Sequence, residues 1–503
     1  MDTLDGTDWD VIISGTGLPQ SLLALALSRS GKSVLHVDRN DYYGGNEAAL
    51  SLSDAESWVS KHAASSHALP TTFSNAVSKS AGQDTEQNNL GHSRAYSLAL
   101  APQLLYARSS LLSALVSSQT HNQLEFQAVG SWFVVSRASE KPVGQWEITR
   151  VPGGREDVFQ DNTLNLKAKR SLMKFLRFVA SSEEQKDSWE ADHTKAFSAF
   201  LSESFGLPEA SHAAIIALTS SQQPSQSVTV ADAVPRIARH LSSIGVFGPG
   251  FGAVVPKWGG LAEVGQVACR ACAVGGGVYV LGKGVDEVRV EDDQSLSVTL
   301  GGGEKVIGQW LVGDNENLPA STLTEESSSE SYTSESISII SSPLAALFPP
   351  TSEGGPTPAG AVILVQSSTD TEPPVHILAH SSDSGECPTG QSVLYASSFE
   401  RSDSGFSRLN DAIQNLLQSL QEESPPPRVL WDMQYERRHA MSNVTRTVDD
   451  RVIALKPMPA DLTFNDSVLR DVQDVWQQIT GADPESFLKF EARESTFDED
   501  GSS

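Results

Sequence analysis

The stretch Val11-Ile-Ile-Ser-Gly-Thr-Gly-Leu-Pro-Gln20 begins like a dinucleotide-binding fingerprint and then departs from it. Its first residues predict a buried parallel strand, and an apolar helix is predicted to follow the glycines. Gly15 and Gly17 would form the tight turn, and Asp38 ends a second predicted strand at the usual distance for a group that holds a ribose. The third glycine of the fingerprint is replaced by Gln20, whose side chain needs space that the closest helix–strand contact lacks. The stretch therefore predicts a Rossmann-like fold without the matching nucleotide signal.

The composition restricts the class of protein. The chain has 503 residues, of which 39% are hydrophobic and 20% charged, enough for more than one domain with its own core. A formal net charge of −27 argues against nucleic acid as a partner, because phosphate binding needs a basic face. The acidic first ten residues lack the plan of a signal peptide, and no apolar run reaches the ~20 residues that span a bilayer. With three cysteines, the chain is expected to be cytoplasmic.

Periodicity along the chain predicts a mixed α/β protein, in which a Rossmann-like, flavoprotein-type sheet domain is interrupted by a mainly helical subdomain. Ser- and Asn-rich residues 60–90 are expected to form a loose insertion, and Pro102 is expected to open a helix. We expect the sheet domain over 1–100 and 241–481, the helical subdomain over 101–240, a disordered acidic insertion over 318–340 and an acidic tail over 482–503.

The fingerprint allows two interpretations. A flavin oxidoreductase would carry a second signature, a strand followed by Gly-Asp, and Trp310-Leu-Val-Gly-Asp314 resembles one. A strand ending in a Gly-Asp turn is common, however, and Pro19 removes one amide donor at the start of the helix. The residues favour the second reading, a Rossmann-like scaffold without a cofactor.

Candidate metal and catalytic groups are few. Cys269 and Cys272 have the spacing of half a zinc site, but only Cys387 remains as a further thiol, and both lie in an apolar segment with helical spacing. His376 and His380 have the spacing of a helical metal pair, but the residues around them favour a strand. No Ser/His/Asp triad is apparent, so the sequence predicts neither a metal site nor a catalytic centre.

One basic pattern stands out in this acidic chain. The predicted helix over 164–179 carries four cations at spacings of three, four and three, which places them on one face. They are Lys167, Arg170, Lys174 and Arg177. This basic stripe is either an ordinary solvated face or a docking surface for an acidic partner, and the spacing alone leaves both possibilities open.

Three blocks of sequence, in order across the first 280 residues, resemble the Rab GDP-dissociation inhibitor and Rab escort protein superfamily. After residue 340 the resemblance is confined to the segment from Val468 to Gly481. The blocks are Gly31-Lys-Ser-Val-Leu-His-Val-Asp-Arg-Asn-Asp-Tyr-Tyr-Gly-Gly45; Pro102–Arg108 with Leu124–Phe126 and Gly130–Phe133; and Ala262–Arg270 leading into Ala273–Leu281.

The resemblance implies that the flavoprotein-like fold binds a prenylatable small GTPase in place of a flavin. In that superfamily a tyrosine, a glutamate and an arginine form the GTPase-binding platform, and Tyr43, Glu263 and Arg270 match them. Two further platform positions fall on Val278 and Val280, where relatives often carry other residues. A charged pair would fix the register of the complex, while the aromatic ring would supply buried area.

Within the superfamily, Val151–Phe159 and Lys169–Leu176 resemble the escort branch. There a phenylalanine and an arginine eleven positions later dock onto Rab geranylgeranyl transferase, and Phe159 and Arg170 match that pair. One departure from the pattern is Ala99, where relatives tend to carry an aspartate. Arg170 also belongs to the basic stripe, which was identified without the resemblance.

The implied function is that of a non-catalytic chaperone without a cofactor. It would bind GDP-loaded Rab GTPases, present them to the heterodimeric Rab geranylgeranyl transferase, shield the geranylgeranyl lipid and deliver the product to membranes. A recycling dissociation inhibitor and a flavin oxidoreductase remain as alternatives. Candidates to line a lipid groove, each equally able to be ordinary core, are Leu104, Leu111, Leu115, Leu172 and Leu176.

Overall fold

The fingerprint strand lies inside the first of two large sheets. The continuous apolar run at its centre is buried on both faces, as expected for a strand of a parallel sheet covered on both sides. The computed structural model describes residues 4–63, 71–80, 90–137, 145–153, 158, 165–184, 189–322, 330–351, 355–367, 369–420, 425–440, 446–448 and 451–490.

The first sheet has eight strands in the order β10-β2-β1-β13-β12-β11, with β20 and β19 added beside β13. Its centre is parallel, because β1 pairs in parallel with both β2 and β13. The bounds are β1, Asp8–Ser14; β2, Val34–Asp38; β10, Val278–Leu281; β11, Val285–Val290; β12, Leu296–Leu300; β13, Lys305–Gly313; β19, Arg446–Val448; and β20, Val452–Ala454.

Helices cover one face of this sheet and form its larger core. The helix after the glycine turn and the helices that begin at Ser110, Leu261 and Ser467 share that core, while strands β11–β13 help to close the opposite face. The helices are α1, Leu18–Arg29; α2, Leu52–His62; α3, Ser110–Ser117; α4, Leu166–Ala180; α5, Phe197–Phe205; α6, His212–Ala217; α7, Val230–Ser243; α8, Leu261–Val274; α9, Ser402–Ser419; and α10, Ser467–Thr480. Among the described helices, none combines the length and the apolar character needed to span a bilayer.

The second sheet has ten strands in the order β4-β18-β14-β17-β16-β15-β7-β9-β6, with β8 paired to β7. Helix α9 packs on one face, and the core on the other face continues into helices α4 to α7. The bounds are β4, Phe73–Ser80; β6, Leu105–Tyr106; β7, Phe126–Arg137; β8, Trp146–Arg150; β9, Ala253–Pro256; β14, Glu330–Ile340; β15, Gly360–Val365; β16, Val375–Ser381; β17, Ser392–Ser398; and β18, Val429–Ala440. Strands β3, Ala49–Leu50, and β5, Leu98–Ala99, form a separate pair.

These sheets and helices confirm the mixed α/β class, but the mainly helical part is shorter than the predicted 101–240. Strands β6, β7 and β8 all fall in that range and belong to the second sheet, and the described helices α4 to α7 lie between residues 166 and 243. The helix expected to open at Pro102 begins at Ser110 instead. Pairing of Leu105 with Val254 holds the intervening residues in strand β6, and the Ser109 hydroxyl then caps α3.

Two segments predicted to be irregular contain strands of the second sheet. In the expected loose insertion 60–90, β4 pairs with β18, and Phe73 packs in the core. In the expected disordered insertion 318–340, β14 lies between β17 and β18, and Ile337 and Ile339 are buried. Pairing on both edges overrides a serine-rich composition, because hydrogen bonds to neighbouring strands satisfy the backbone. Residues 323–329 lie outside the described part of the chain.

The leucines proposed for a lipid groove do not share one surface. Leu104 belongs to the core of the second sheet, whereas Leu111 and Leu115 belong to the core of the first sheet, and all three are buried. Leu172 and Leu176 on α4 are half-buried against the core beneath the helical part. The five leucines therefore do not line one common surface, because α3 and α4 pack on different layers.

Candidate functional site

The turn between β1 and α1 retains the backbone of a nucleotide-binding turn but is closed by side chains. Gly15 has a φ of +92°, in the region that favours glycine. The first amides of a helix form an anion site, and here the Leu18 N–H donates to Glu47 Oε2 over 3.2 Å. A Cβ atom on Gly17 would lie 3.1 Å from the same oxygen. A carboxylate of this chain thus lies where a pyrophosphate would bind.

Gln20 and the predicted Gly-Asp turn close the other side of the turn. Gln20 Nε2 donates to Asp314 Oδ2 over 2.9 Å, so its side chain points toward the turn. Asn317 Nδ2 also donates to both oxygens of Asp314, and it lies 2.6 Å from the position of a Cβ atom on Gly15. Asp314, from the turn that resembled a second flavin signature, therefore accepts a hydrogen bond from Gln20, the residue that interrupts the fingerprint.

Asp38 ends β2 as predicted, but its oxygens already have partners. Oδ2 accepts from the backbone N–H of Thr16 over 2.7 Å and from its hydroxyl over 2.6 Å, and Oδ1 accepts from the N–H of Asn40 over 2.8 Å. With Glu47 at the helix terminus, the groups that would hold a ribose and a pyrophosphate bind this chain instead. The residues at this vestigial nucleotide cradle (Gly15, Thr16, Gly17, Gln20, Asp38, Glu47, Asp314 and Asn317) do not fit a dinucleotide.

The electrostatics of the cradle are also unfavourable for a bound phosphate. Burial raises the pKa of the Glu47 carboxyl to about 7, with opposing effects from Arg437 and the Leu18 amide and a further increase from Asp314. Burial likewise raises the pKa of Asp38 and of Asp314. The same burial penalises any further negative charge, so this enclosed region is unfavourable for a pyrophosphate.

Two of the predicted platform residues form an ion pair on one face of α8. Glu263 and Arg270 are seven positions apart, and Arg270 Nη2 lies 2.7 Å from Glu263 Oε1. The arginine side chain is 57% exposed, which leaves donors accessible to a partner. Tyr43 is half-buried, and its ring lies beside that of Tyr279, which packs against the core that α8 shares on this face of the sheet. The structure thus brings Tyr43, Glu263 and Arg270 to one side of the first sheet.

The two valines predicted for the platform lie on the edge strand β10. Their side chains point to the face of the first sheet opposite α8. Val278 is paired with Leu35 and Val280 with Val37, and Val280 packs on the opposite core. Between them, Tyr279 points toward α8, and its ring centroid lies 6.1 Å from that of Tyr43. Alternation along a strand could have identified Tyr279, because the residue between two valines must face the other side.

The basic stripe lies on α4, and its four residues are exposed. Phe175 and Val179 on the opposite side of the helix are buried. Lys174 donates to the carbonyl of Ser204 over 2.9 Å and lies 5.2 Å from the Phe205 ring centroid. Arg170 forms no ion pair with any residue that the structure describes. Phe159, its predicted companion, lies outside the described residues.

The cysteines and histidines considered as metal ligands are buried side chains of the described part of the chain. Cys269 and Cys272 are buried on α8, where burial raises the pKa of both thiols. His376 and His380 lie on β16, as the sequence favoured, and His380 Nδ1 is 2.7 Å from Glu386 Oε2. The described ranges contain no group of three or more residues placed to hold a metal ion.

Comparisons with known proteins identify related sequences. The profile of the GDP dissociation inhibitor family matches residues 5–493. A Saccharomyces cerevisiae relative named Rab proteins geranylgeranyltransferase component A is 35% identical over 272 residues; the match covers 54% of this chain and 43% of that protein.

Two solved structures have a similar fold. A Rab GDI of Plasmodium falciparum superposes with a TM-score of 0.69 at 19% identity, over 95% of this chain and 99% of the other. An oxidoreductase of Methanosarcina mazei superposes with a TM-score of 0.58 at 12% identity, over 93% and 100%. At such identities, these structures establish the flavoprotein-type architecture alone.

Proposed function

The chain belongs to the GDP dissociation inhibitor family, and on that premise we propose that it is a Rab escort protein, a non-catalytic accessory component of Rab geranylgeranyl transferase. The observation that carries the proposal is the contrast between a closed nucleotide cradle and an exposed ion pair on the neighbouring helix α8. The first sheet carries exposed groups suited to a protein partner, whereas a flavoprotein uses the same sheet to bind its cofactor.

In this proposal the platform binds a Rab GTPase in its GDP form. Arg270 keeps accessible donors for a carboxylate or carbonyl of the GTPase, while its pairing with Glu263 limits the conformations of both side chains. Tyr43, whose ring centroid lies 6.1 Å from that of Tyr279, supplies aromatic contact area on the same side of the first sheet. The switch segments of a GTPase are more mobile with GDP than with GTP, so a surface that reads them can prefer the GDP form.

The exposed stripe on α4 is the proposed docking surface for the transferase. Arg170 is exposed and has no ion-pair partner among the described residues, and the acidic character of the rest of the chain makes four aligned cations a distinctive target for an acidic partner. The S. cerevisiae relative is named as component A of the transferase, which supports an escort role over that of a recycling inhibitor. On the strength of the resemblance, we propose that Phe159 takes part in the same contact with the transferase.

The proposed chaperone also shields the lipid of its product. A twenty-carbon chain gains on the order of 10 kcal/mol when it leaves water, so a surface that binds it must be apolar. Among the leucines considered, Leu172 and Leu176 are half-buried on α4 and remain candidates, whereas those of α3 do not.

Reconstituted Rab prenylation, with and without this chain, tests the proposal. Lipid transfer is expected to depend on the chain, and Arg270→Glu is expected to abolish Rab binding and lipid transfer together. Arg170→Glu is expected to abolish transfer while Rab binding is retained. Arg289→Glu is a suitable control, because Arg289 is 69% exposed on the same sheet as the platform and also pairs with a glutamate, Glu287.

Each alternative predicts a different outcome. A recycling inhibitor would extract prenylated Rab from membranes yet leave the transferase reaction unchanged. A flavin oxidoreductase would retain visible flavin absorbance after purification, which the side chains in the cradle disfavour. Transfer that proceeds equally well without the chain would overturn the escort proposal.

A further inference from the structure

We infer that the vestigial nucleotide cradle now holds the loop that presents Tyr43, with the Glu47 carboxylate fixed in the place of a pyrophosphate. The Tyr43 loop is defined as residues 39–48, between β2 and β3. The inference rests on the proposed function, because it takes Tyr43 to be a contact for the GTPase. Thr16, Asp38 and Glu47 are positioning residues in this scheme, since they act on the partner through the loop.

The loop is anchored to the cradle on the N-terminal side of Tyr43. The N–H of Asn40 donates to Asp38 Oδ1 over 2.8 Å. The carbonyl of Asn40 accepts from the N–H of Gly282 over 2.8 Å, which ties the same residue to the end of the edge strand β10. The start of the loop is therefore held by the residue that would otherwise bind a ribose.

A second anchor follows Tyr43 directly. The N–H of Gly44 donates to the hydroxyl of Thr16 over 3.0 Å, and that hydroxyl in turn donates to Asp38 Oδ2. Gly44 has a φ of +103°, and a Cβ atom there would lie 2.8 Å from the Cα atom of Ala48. The glycine after Tyr43 thus allows a tight return of the chain, and the hydroxyl fixes where that return begins.

The third anchor is Glu47, which closes the loop on the first turn of α1. Its Oε2 accepts from the N–H of Leu18, and its side chain is buried. A carboxyl oxygen at a helix N-terminus accepts a hydrogen bond from an exposed amide in the way that a phosphate oxygen does. Tyr43 lies between these anchors with its ring beside Tyr279. The cradle groups that a cofactor would need are therefore used to hold the loop.

Binding of GDP-loaded Rab to the full chain, measured by titration, tests this inference through chemical rescue. Glu47→Ala is expected to weaken binding on the order of tenfold, which corresponds to ~1.4 kcal/mol. Sodium acetate is expected to restore most of the affinity of Glu47→Ala, and sodium chloride at the same ionic strength is not, because acetate can replace the missing carboxylate at the helix terminus. Glu56→Ala, an exposed glutamate on α2, is the matched control and is expected to bind like the unaltered chain with either salt.

The outcomes separate this inference from the proposed function. Loss of affinity in Tyr43→Ala but not in Glu47→Ala would overturn the inference alone. Normal affinity in both variants would overturn the platform as well, and weakening of Glu47→Ala without selective rescue by acetate would overturn the positioning role. If Glu47→Ala does not fold, Thr16→Val decides, because it keeps the shape of the side chain but removes the acceptor for the Gly44 N–H. Unchanged affinity in Thr16→Val would then overturn the inference.

Discussion

Helices α1 and α8 lie side by side on the first sheet and begin alike. Helix α1 is buried on every side, whereas α8 has an exposed polar face. Both follow a glycine that offers no side-chain cap. All the residues of α1 from Leu18 to Ser28 are buried, and the N–H of Leu18 in its first turn donates to Glu47 from another segment. Helix α8 carries its own acid, Glu263, and pairs it with the exposed Arg270. A helix apolar on every side becomes interior, whereas one with a polar face can present groups to a partner.

The comparison explains how one scaffold can support different functions. The ligand of a Rossmann-like fold binds at the start of the first helix, and this chain has filled that position with Glu47 and Gln20. The neighbouring helix needs no change in backbone to display an ion pair. In the proposed function, the binding surface lies about one helix away from the cradle on the same sheet, without a change in fold.

Truncation of a buried residue on α1 should have the largest effect on stability, and an exposed residue on α8 serves for comparison. Leu25→Ala is expected to lower the free energy of unfolding by about 3–4 kcal/mol, because Leu25 is completely buried and a cavity would remain. Val274→Ala, at the end of α8 and 68% exposed, is expected to change it by less than about 0.5 kcal/mol. Urea denaturation of both variants measures the difference. Equal effects would contradict the assignment of α1 as interior.

The buried Glu47 should give the next largest effect, as a dependence of stability on pH. Its pKa is about 7 in the folded chain against an ordinary value of 4.5, so the folded state binds the proton more tightly. The contribution of Glu47 to stability is therefore fully present below pH 4.5 and is lost as the pH rises to about 7. Relative to Glu47→Gln, the unaltered chain is expected to lose on the order of 3 kcal/mol across that interval. Parallel stability curves for the two proteins would refute the prediction.

Two glutamines, one on each helix, allow a further comparison of stability. Gln20→Ala on α1 is expected to cost about 2 kcal/mol, because it leaves a buried cavity and removes a donor from Asp314. Gln266→Ala, on the partly exposed face of α8, is expected to cost less than about 0.5 kcal/mol. Thermal unfolding of the two variants under the same conditions ranks them. The reverse order would mean that Gln20 contributes nothing through Asp314.

The smallest expected effect on stability is that of the platform ion pair itself. A double-mutant cycle on Glu263 and Arg270 should give a coupling energy of about 0.5 kcal/mol, because the arginine is largely in solvent and its charge is screened. Together with the binding assay, this measurement separates stability from function. A coupling of several kcal/mol would indicate that the pair holds the fold together and is not kept for a partner.

Some features of this protein were determined by the sequence alone. The run Val11–Ser14, the glycine turn and the apolar residues that follow predict a strand, turn and helix, because local periodicity and glycine conformation suffice to specify them. The four cations of the basic stripe were likewise predicted to share one face of a helix, since their spacing alone fixes that face.

Other features were decided only by the tertiary structure. The serine-rich strand β14 is ordered by its two neighbours, which come from residues far along the chain. Glu47 lies 29 positions from the amide it accepts from, and Asp314 lies 294 positions from Gln20. No local pattern contains such pairings, because they depend on which segments the sheets bring together. The sequence thus determined that a nucleotide fold was present and altered, and the tertiary structure decided which side chains closed its cradle.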